Sequence, residues 1–254
     1  MIPNQSERRP LVLLTAAVSP NVSGRVALAD PAIRLRQYQI AISEWSRSTL
    51  QLGFRLAVVE TTGASPKDLL QDVGEKRARR ISVVSFEPSA VQAERGKGAV
   101  ELAAIRAAVE DAELVAPNDT LYKCTGRLIV RNAGRILTPL RTGAVKVRMT
   151  LDRSWADTRL VGATAQTWSE HIFPDIDLVD DARGRYLERV LAARLASAST
   201  LGSVSIEQFS GRPLLSGVSG STGKSYLART SWLKDRALRP FETLLSGIAS
   251  KKQV

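Results

Sequence analysis

The sequence predicts an α/β fold: a mainly parallel sheet flanked by helices, with ligand chemistry at the carboxyl ends of its strands. Three observations carry this reading. Apolar runs without a helical period stand at Leu11–Val18, Phe54–Val59 and Ile81–Phe86, the pattern of strands buried on both faces. Capped or amphipathic segments separate them. The alternation strand, helix, strand, helix, strand fills the first ninety or so residues, and such spacing favours a parallel sheet with right-handed crossovers.

Taken in order, the first run ends in the turn Ser19-Pro20-Asn21. Asp30 is an N-cap followed by Pro31 at the first helical position. Tyr38, Ala41, Ile42 and Trp45 then share one face, which predicts an amphipathic helix to about Ser46. The second strand closes on Glu60-Thr61-Thr62-Gly63, and Ser65-Pro66 opens a short helix to about Glu75. After the third strand, Arg95-Gly96-Lys97-Gly98 leads into a helix with the small face Val100, Ala103, Ala104, Ala107 and Ala108. A fourth strand is expected over Lys123–Val130 and a half-exposed one over Val145–Leu151, where apolar and basic residues alternate. Leu160–Ala165 reads as a further strand and Thr167–Phe173 as a short helix. Asp177–Asp181 is an acidic loop whose last residue can cap a helix bearing Tyr186, Leu187, Val190, Leu191 and Arg194, with Glu188 beside that face. From Ser197 the pattern weakens. Ser216–Ser225 is Gly- and Ser-rich, as loops and lids are.

Composition narrows the classes of function. The chain has 254 residues, 44% of them hydrophobic, which is enough for a real core. The formal net charge of +11 favours polyanionic partners: nucleic acid, anionic lipid or phosphorylated ligands. One cysteine, Cys124, excludes an internal disulfide and a thiolate zinc cluster, and one histidine, His171, argues against a His-rich metal site. No apolar run approaches a membrane span, and the short run after the polar N-terminus reads as a strand rather than a signal sequence, so a cytoplasmic location is expected. Aromatics at 5% and dispersed Lys and Arg weigh against a nucleic-acid-binding module.

The stretch Glu94–Asn132 holds the densest chemistry. A Gly-rich turn at a helix start offers backbone N–H groups and the positive end of the helix dipole. Lys123, Thr125, Gly126 and Arg127 follow at a strand mouth, so the arrangement suits an anion such as a diphosphate. A plain helix start with a basic edge strand fits the stretch equally well. Gly220-Ser-Thr-Gly223-Lys224-Ser225 is not a phosphate loop, because residue 218 is Val where the motif needs Gly and no strand and nucleotide core can be built around it. Among the carboxylates, Glu60 closes the second strand, where it can accept bonds from a base or ribose. Asp157 and Asp119 are placed near strand mouths, where either can take a divalent cation or an acceptor hydroxyl, and Asp180, Asp181 and Glu188 can face them from the second half. Each is read equally as a solvated surface charge.

The order of these pieces resembles a group of bacterial glycosyltransferase-like proteins from surface (capsular or O-antigen) polysaccharide gene clusters. The matching residues are Leu13-Leu-Thr15-Ala with Pro20-Asn21, then Asp30-Pro31 with Arg34, Tyr38 and Trp45. Val59-Glu60-Thr-Thr-Gly63, Gly96-Lys97-Gly98 with Glu101, Lys123-Cys-Thr-Gly126-Arg127, Asp157-Thr-Arg159 and Tyr186-Leu-Glu188 complete the set, over residues 10–195. The resemblance implies a GT-A-like fold with a nucleotide-sugar-binding half (10–132), an acceptor-side half (133–210), and a flexible loop with a basic tail (211–254). It implies that Thr15 and Glu60 hold the nucleoside, that Lys97, Lys123, Thr125, Arg127 and Arg159 bind the donor and its diphosphate, and that Glu188 is the base for the acceptor hydroxyl. Asp157 stands in for the acidic metal-binding motif of such folds. No Asp-x-Asp ends a strand in the first half, so either Asp157 holds Mn²⁺ or Mg²⁺, or basic residues do the metal's work. The implied partners are a nucleotide-sugar donor and a glycan or lipid-linked acceptor, with no nucleic acid. The basic tail with Trp232 and Phe241 either docks peripherally on the anionic inner membrane or packs on the domain. A sugar-phosphate nucleotidyltransferase is the alternative, disfavoured because Arg25 alone follows strand one; a nucleic-acid-binding protein ranks third.

Overall fold

A computed structural model describes residues 9–20, 30–219, 223 and 225–226 of the chain. The expected turn residue Asn21, together with Arg25, Lys224, Trp232 and Phe241, lies outside the described residues.

The chain runs β1 (Leu11–Ala16), α1 (Pro31–Leu52), β2 (Arg55–Glu60), α2 (Pro66–Leu69), α3 (Glu75–Ala78), β3 (Ile81–Ser85), α4 (Ala90–Arg95) and α5 (Lys97–Glu110). It continues through β4 (Thr120–Thr125), β5 (Leu128–Val130), α6 (Ala133–Ile136), β6 (Ala144–Lys146), β7 (Leu160–Thr164) and α7 (Ala165–Thr167). Then come α8 (Leu187–Thr200), β8 (Ser205–Glu207), β9 (Leu215–Val218) and β10 (Ser225–Tyr226). A seven-stranded sheet has the order β3-β2-β1-β4-β7-β6-β8, and β10-β9-β5 form a small second sheet. The pairs β3–β2, β2–β1, β1–β4 and β6–β8 are parallel, and β7 runs antiparallel to both neighbours. The expected mainly parallel α/β sheet is what the structure has.

Alternation along the strands divides the core into two layers. Leu11, Leu13, Ala57, Val59 and Leu121 pack toward α5 and α8, whereas Val12, Leu14, Leu56, Val58, Tyr122 and Cys124 pack toward α1. Helix α1 runs past the expected end at Ser46 because its polar residues satisfy themselves: Ser46 Oγ donates to Ser43 O at 2.7 Å and Thr49 Oγ1 to Trp45 O at 2.7 Å. Gly53, at φ 68°, then closes it in the left-handed conformation that glycine adopts without strain.

Several other elements differ from expectation. The single strand expected over Lys123–Val130 is two strands, broken at Gly126-Arg127, and β5 leaves the main sheet to pair with β9. The segment to Glu75 holds only α2, and α3 starts afresh at Gly74. The half-exposed strand expected to Leu151 stops at Lys146. Thr164 caps the helical stretch that follows β7, and its second turn, Trp168–Ile172, is π-helical. Asp181 does not cap α8, which begins at Leu187. Among the described residues no helix is long and apolar enough to cross a membrane.

Candidate active site

The rim where β1, β2, β3 and β4 end also receives the segment entering β7, because β7 runs the other way. Leu160 pairs with Cys124, and Thr125 N–H donates to Arg159 O at 3.0 Å, so Asp157–Arg159 lies beside the end of β4. Gly126 N–H donates to Thr15 O at 3.0 Å, and a Cβ at Gly126 would stand 2.4 Å from that oxygen. The turn can therefore draw this close to β1 only with glycine. A cavity of about 1190 Å³ opens on this rim. It is lined from the first half by Thr15, Arg34, Tyr38, Glu60, Lys97, Thr125 and Arg127, and from the second by Arg148, Trp155, Asp157, Arg159 and Glu188. All but one of the donor-binding and catalytic residues that the resemblance implies meet there.

The exception is Lys123, which lies under the floor of the cavity. Its side chain is 1% exposed, with Nζ 2.7 Å from Glu101 Oε1 and donating to Thr158 O at 2.6 Å. Thr15 Oγ1 donates to the same Glu101 oxygen at 2.7 Å. Burial raises the Glu101 pKa, but the Lys123 charge and the bonds from Lys123 and Thr15 outweigh it and hold the carboxyl below its ordinary value. Thr15 and Lys123 are thus both tied to Glu101, whose side chain is 27% exposed on the cavity wall.

Glu60 is engaged as well. Its carboxylate accepts from Val18 N–H at 3.2 Å, Thr62 N–H at 2.8 Å and Ala64 N–H at 3.0 Å, and from Thr62 Oγ1 at 2.5 Å, so it organises the loop after β2. Asp157 is gripped by a guanidinium fork, with Arg159 Nε donating to Oδ1 at 2.7 Å and Nη2 to Oδ2 at 2.6 Å. Burial pushes the Asp157 carboxyl up, yet the Arg159 bonds and charge bring it below its usual range. The same bonds raise Arg159, whose guanidinium also lies 5.1 Å from the Tyr226 ring centroid.

Both oxygens of Asp157 accept from Arg159, and among the described residues no three His, Cys, Asp or Glu groups come together as cation ligands. This donor set does not fit a divalent cation. Asp119 sits at the amino end of β4, away from the cavity, paired with Arg55 at 2.7 Å. Asp181 reaches the start of α5, accepting from Gly98 N–H at 3.1 Å, so a side chain of the protein fills the anion position the Gly-rich turn offers. A Cβ at Gly96 would stand 2.7 Å from that of Asp181, so only glycine lets the carboxylate approach. His171 does not line the cavity; its Nε2 lies 3.7 Å from Glu170 Oε2.

On the second wall Glu188, in the first turn of α8, accepts from Thr158 Oγ1 at 3.0 Å through Oε1. Ala156 N–H donates to Glu188 O at 3.0 Å, which ties that turn to the segment entering β7. A carboxylate has accepting capacity beyond one bond, enough to take an acceptor hydroxyl. Trp155 and Tyr186 stand beside it with ring centroids 6.2 Å apart, both partly exposed, and Arg189 packs against each ring.

No role in the site was expected of Arg34, yet it lines the α1 wall of the cavity. Arg34 Nε donates to Ala17 O at 2.8 Å and its guanidinium lies 6.0 Å from the Tyr38 ring centroid. Arg127 lies 5.6 Å from the same centroid. The signal was present: Arg34 falls one turn before Tyr38 on the face that Tyr38, Ile42 and Trp45 share. An arginine on an otherwise apolar stripe needs a reason to be there.

No family model and no curated protein matches the chain. Among solved structures it is similar to the galactosyltransferase LgtC crystallised with donor and acceptor sugar analogues, at TM-score 0.45 and 10% identity, over 77% of this chain and 72% of that one. It is similar to a putative nucleotide-diphospho-sugar transferase from Desulfovibrio desulfuricans at TM-score 0.45 and 13% identity, over 79% of each chain. A 4-diphosphocytidyl-2C-methyl-D-erythritol synthase aligns over 91% of this chain and 99% of its own at TM-score 0.38 and 13% identity. Likenesses of this strength say nothing about a reaction.

Proposed function

We propose that the protein is a glycosyltransferase that moves a sugar from a nucleotide-activated donor to a glycan or lipid-linked acceptor in bacterial surface polysaccharide synthesis. The observation that carries this is the two-walled cavity: Arg34, Lys97, Arg127 and strand ends on one wall, and the Glu188 carboxylate with Trp155, Arg148 and Arg159 on the other. The resemblance running from Thr15 to Glu188 supports the same assignment. A volume of about 1190 Å³ suits a nucleotide-sugar with part of an acceptor.

On this reading the nucleoside lies against the loops after β1 and β2, near Thr15 and Glu60. The diphosphate faces the cationic groups Lys97, Arg127 and Arg159. The bond between the sugar's anomeric carbon and the diphosphate oxygen breaks with its electron pair going to the diphosphate, whose growing charge the cations stabilise. The acceptor oxygen forms the new bond, and its proton passes to Glu188. Lys123 serves from below, fixing Glu101 and the Thr158 carbonyl. The basic tail is assigned to the cytoplasmic face of an anionic inner membrane, where a lipid-linked acceptor would lie.

The test pairs binding with turnover. Thermal melting with a panel of nucleoside diphosphates should show a raised midpoint with one base, since ligand bound only by the folded state stabilises it. Transfer from the matching nucleotide-sugar should fall roughly a hundredfold or more in Glu188→Gln while that shift persists, as expected on loss of a general base. Absence of a shift with every base, alongside tight binding to DNA at low salt, would sink the reading.

A further inference from the structure

We propose that Arg34 and Arg127, set around the ring of Tyr38, form a pyrophosphate clamp that does the work a divalent cation does elsewhere. Naming the ligand a nucleoside diphosphate rests on the glycosyltransferase reading; the anion subsite itself does not.

The argument starts from Arg127. Its side chain lines the cavity although the residue is only 4% exposed. Nη1 donates to the neutral Gln37 Oε1 at 3.1 Å, while Nε is buried with no hydrogen-bond partner among the described residues. A buried guanidinium N–H without an acceptor is costly unless something supplies one, and what suits a planar fork is a carboxylate or phosphate oxygen. Among the described residues Arg127 also has no carboxylate partner, in contrast to Arg159, which Asp157 occupies at both ends.

Arg34 supplies the second cation from α1. Tyr38 holds the pair apart, its hydroxyl accepting from Ala17 N–H at 3.0 Å and its ring facing both guanidiniums. Burial, and then the charge of Arg127, lower the Arg34 pKa, so the two cations already act on each other. A dianionic group placed against both would relieve that repulsion. On the same rim both Asp157 oxygens already accept from the Arg159 cation, and among the described residues no three His, Cys, Asp or Glu groups gather around it to hold a metal. Charge neutralisation of a departing diphosphate then falls to fixed guanidiniums, which need no cation from solution.

The experiment uses the full chain and inorganic pyrophosphate as probe, with binding followed by calorimetry in EDTA and again with Mg²⁺ or Mn²⁺. The expected result is binding in EDTA that added metal does not strengthen. Arg127→Met should weaken it by roughly tenfold to a hundredfold, the range for one charged hydrogen-bonding group. Arg127→Lys should restore part of the loss, as a point charge without the fork does. If Arg127→Met fails to melt cooperatively, Arg127→Gln, which keeps a polar side chain beside Gln37, replaces it with the same expectation. Binding that requires metal, binding undiminished in both Arg127 variants, or competition by sulfate as strong as by pyrophosphate overturns the clamp. The two readings fail separately. A nucleoside diphosphate that binds only with Mg²⁺ removes the clamp and leaves the transferase. Pyrophosphate binding with no gain from any nucleoside keeps the clamp and removes the transferase.

Discussion

Lys123 and Arg127 flank one strand end and meet opposite surroundings. Lys123 points to the α5 side of the sheet, where Glu101 and the Thr158 carbonyl engage two of its three ammonium donors. Arg127 points to the α1 side, where Tyr38 and Gln37 offer it a ring face and one neutral acceptor. Both are buried and both are basic, yet one is a structural ion pair and the other has no carboxylate partner among the described residues. What separates a scaffold cation from a ligand-binding one here is the partner on the neighbouring helix: a carboxylate in α5, a phenol in α1.

That contrast can be broken most forcefully at Lys123. Lys123→Met leaves the Glu101 carboxylate without its counter-ion and should cost about 3 kcal/mol of stability, the low end for a buried pair because Glu101 is 27% exposed. Urea unfolding would measure it, and adding Glu101→Gln should recover most of the loss; a single variant as stable as wild type would show that the pair is not structural.

A smaller effect is expected on the outer wall. Asp157→Asn disrupts the fork to Arg159 and should cost roughly 1–3 kcal/mol at neutral pH. The Asp157 pKa is lowered in the folded protein, so its stabilisation is complete above the unfolded carboxylate range and disappears as pH falls through the native value. The stability gap between wild type and Asp157→Asn should therefore close in acid, and a gap independent of pH would rule out the ionic account.

Arg127→Met sharpens the contrast from the other end. It loses one bond to a neutral acceptor and relieves a buried N–H, so stability should shift by no more than about 1 kcal/mol while pyrophosphate binding falls. Smallest of all is the response of Cys124 to thiol reagents. Burial pushes its thiol up to about 12, so at pH 8 the native protein should resist alkylation over hours and label fully once unfolded.

Much of the frame was legible in the sequence because buried parallel strands and capped helices leave local marks. The apolar runs and Asp30-Pro31 are such marks, whereas the grouping of Asp157, Arg159 and Glu188 with the first half came with the family resemblance. The break at Gly126 did not show, since apolar residues continue on both sides and only the approach to Thr15 O reveals why glycine is needed. The Gly96–Gly98 turn pointed correctly to an anion at a helix start, but the anion is Asp181, remote in sequence. Lys123 was read as facing a ligand because one residue of register decides which face of a strand a side chain takes. Partner identity is long-range information, and patterns of spacing carry little of it.

The reversed course of β7 has a consequence for how such a molecule can diversify. Every parallel strand sends its outgoing loop to the rim, but β7 delivers an incoming one, so the two walls of the cavity are punctuated by separate connections. Residues before β7 can lengthen or change without shifting the register of β1 and β4. One wall is thereby free to change its lining while the other keeps its own, like a tool with a fixed handle and an exchangeable head.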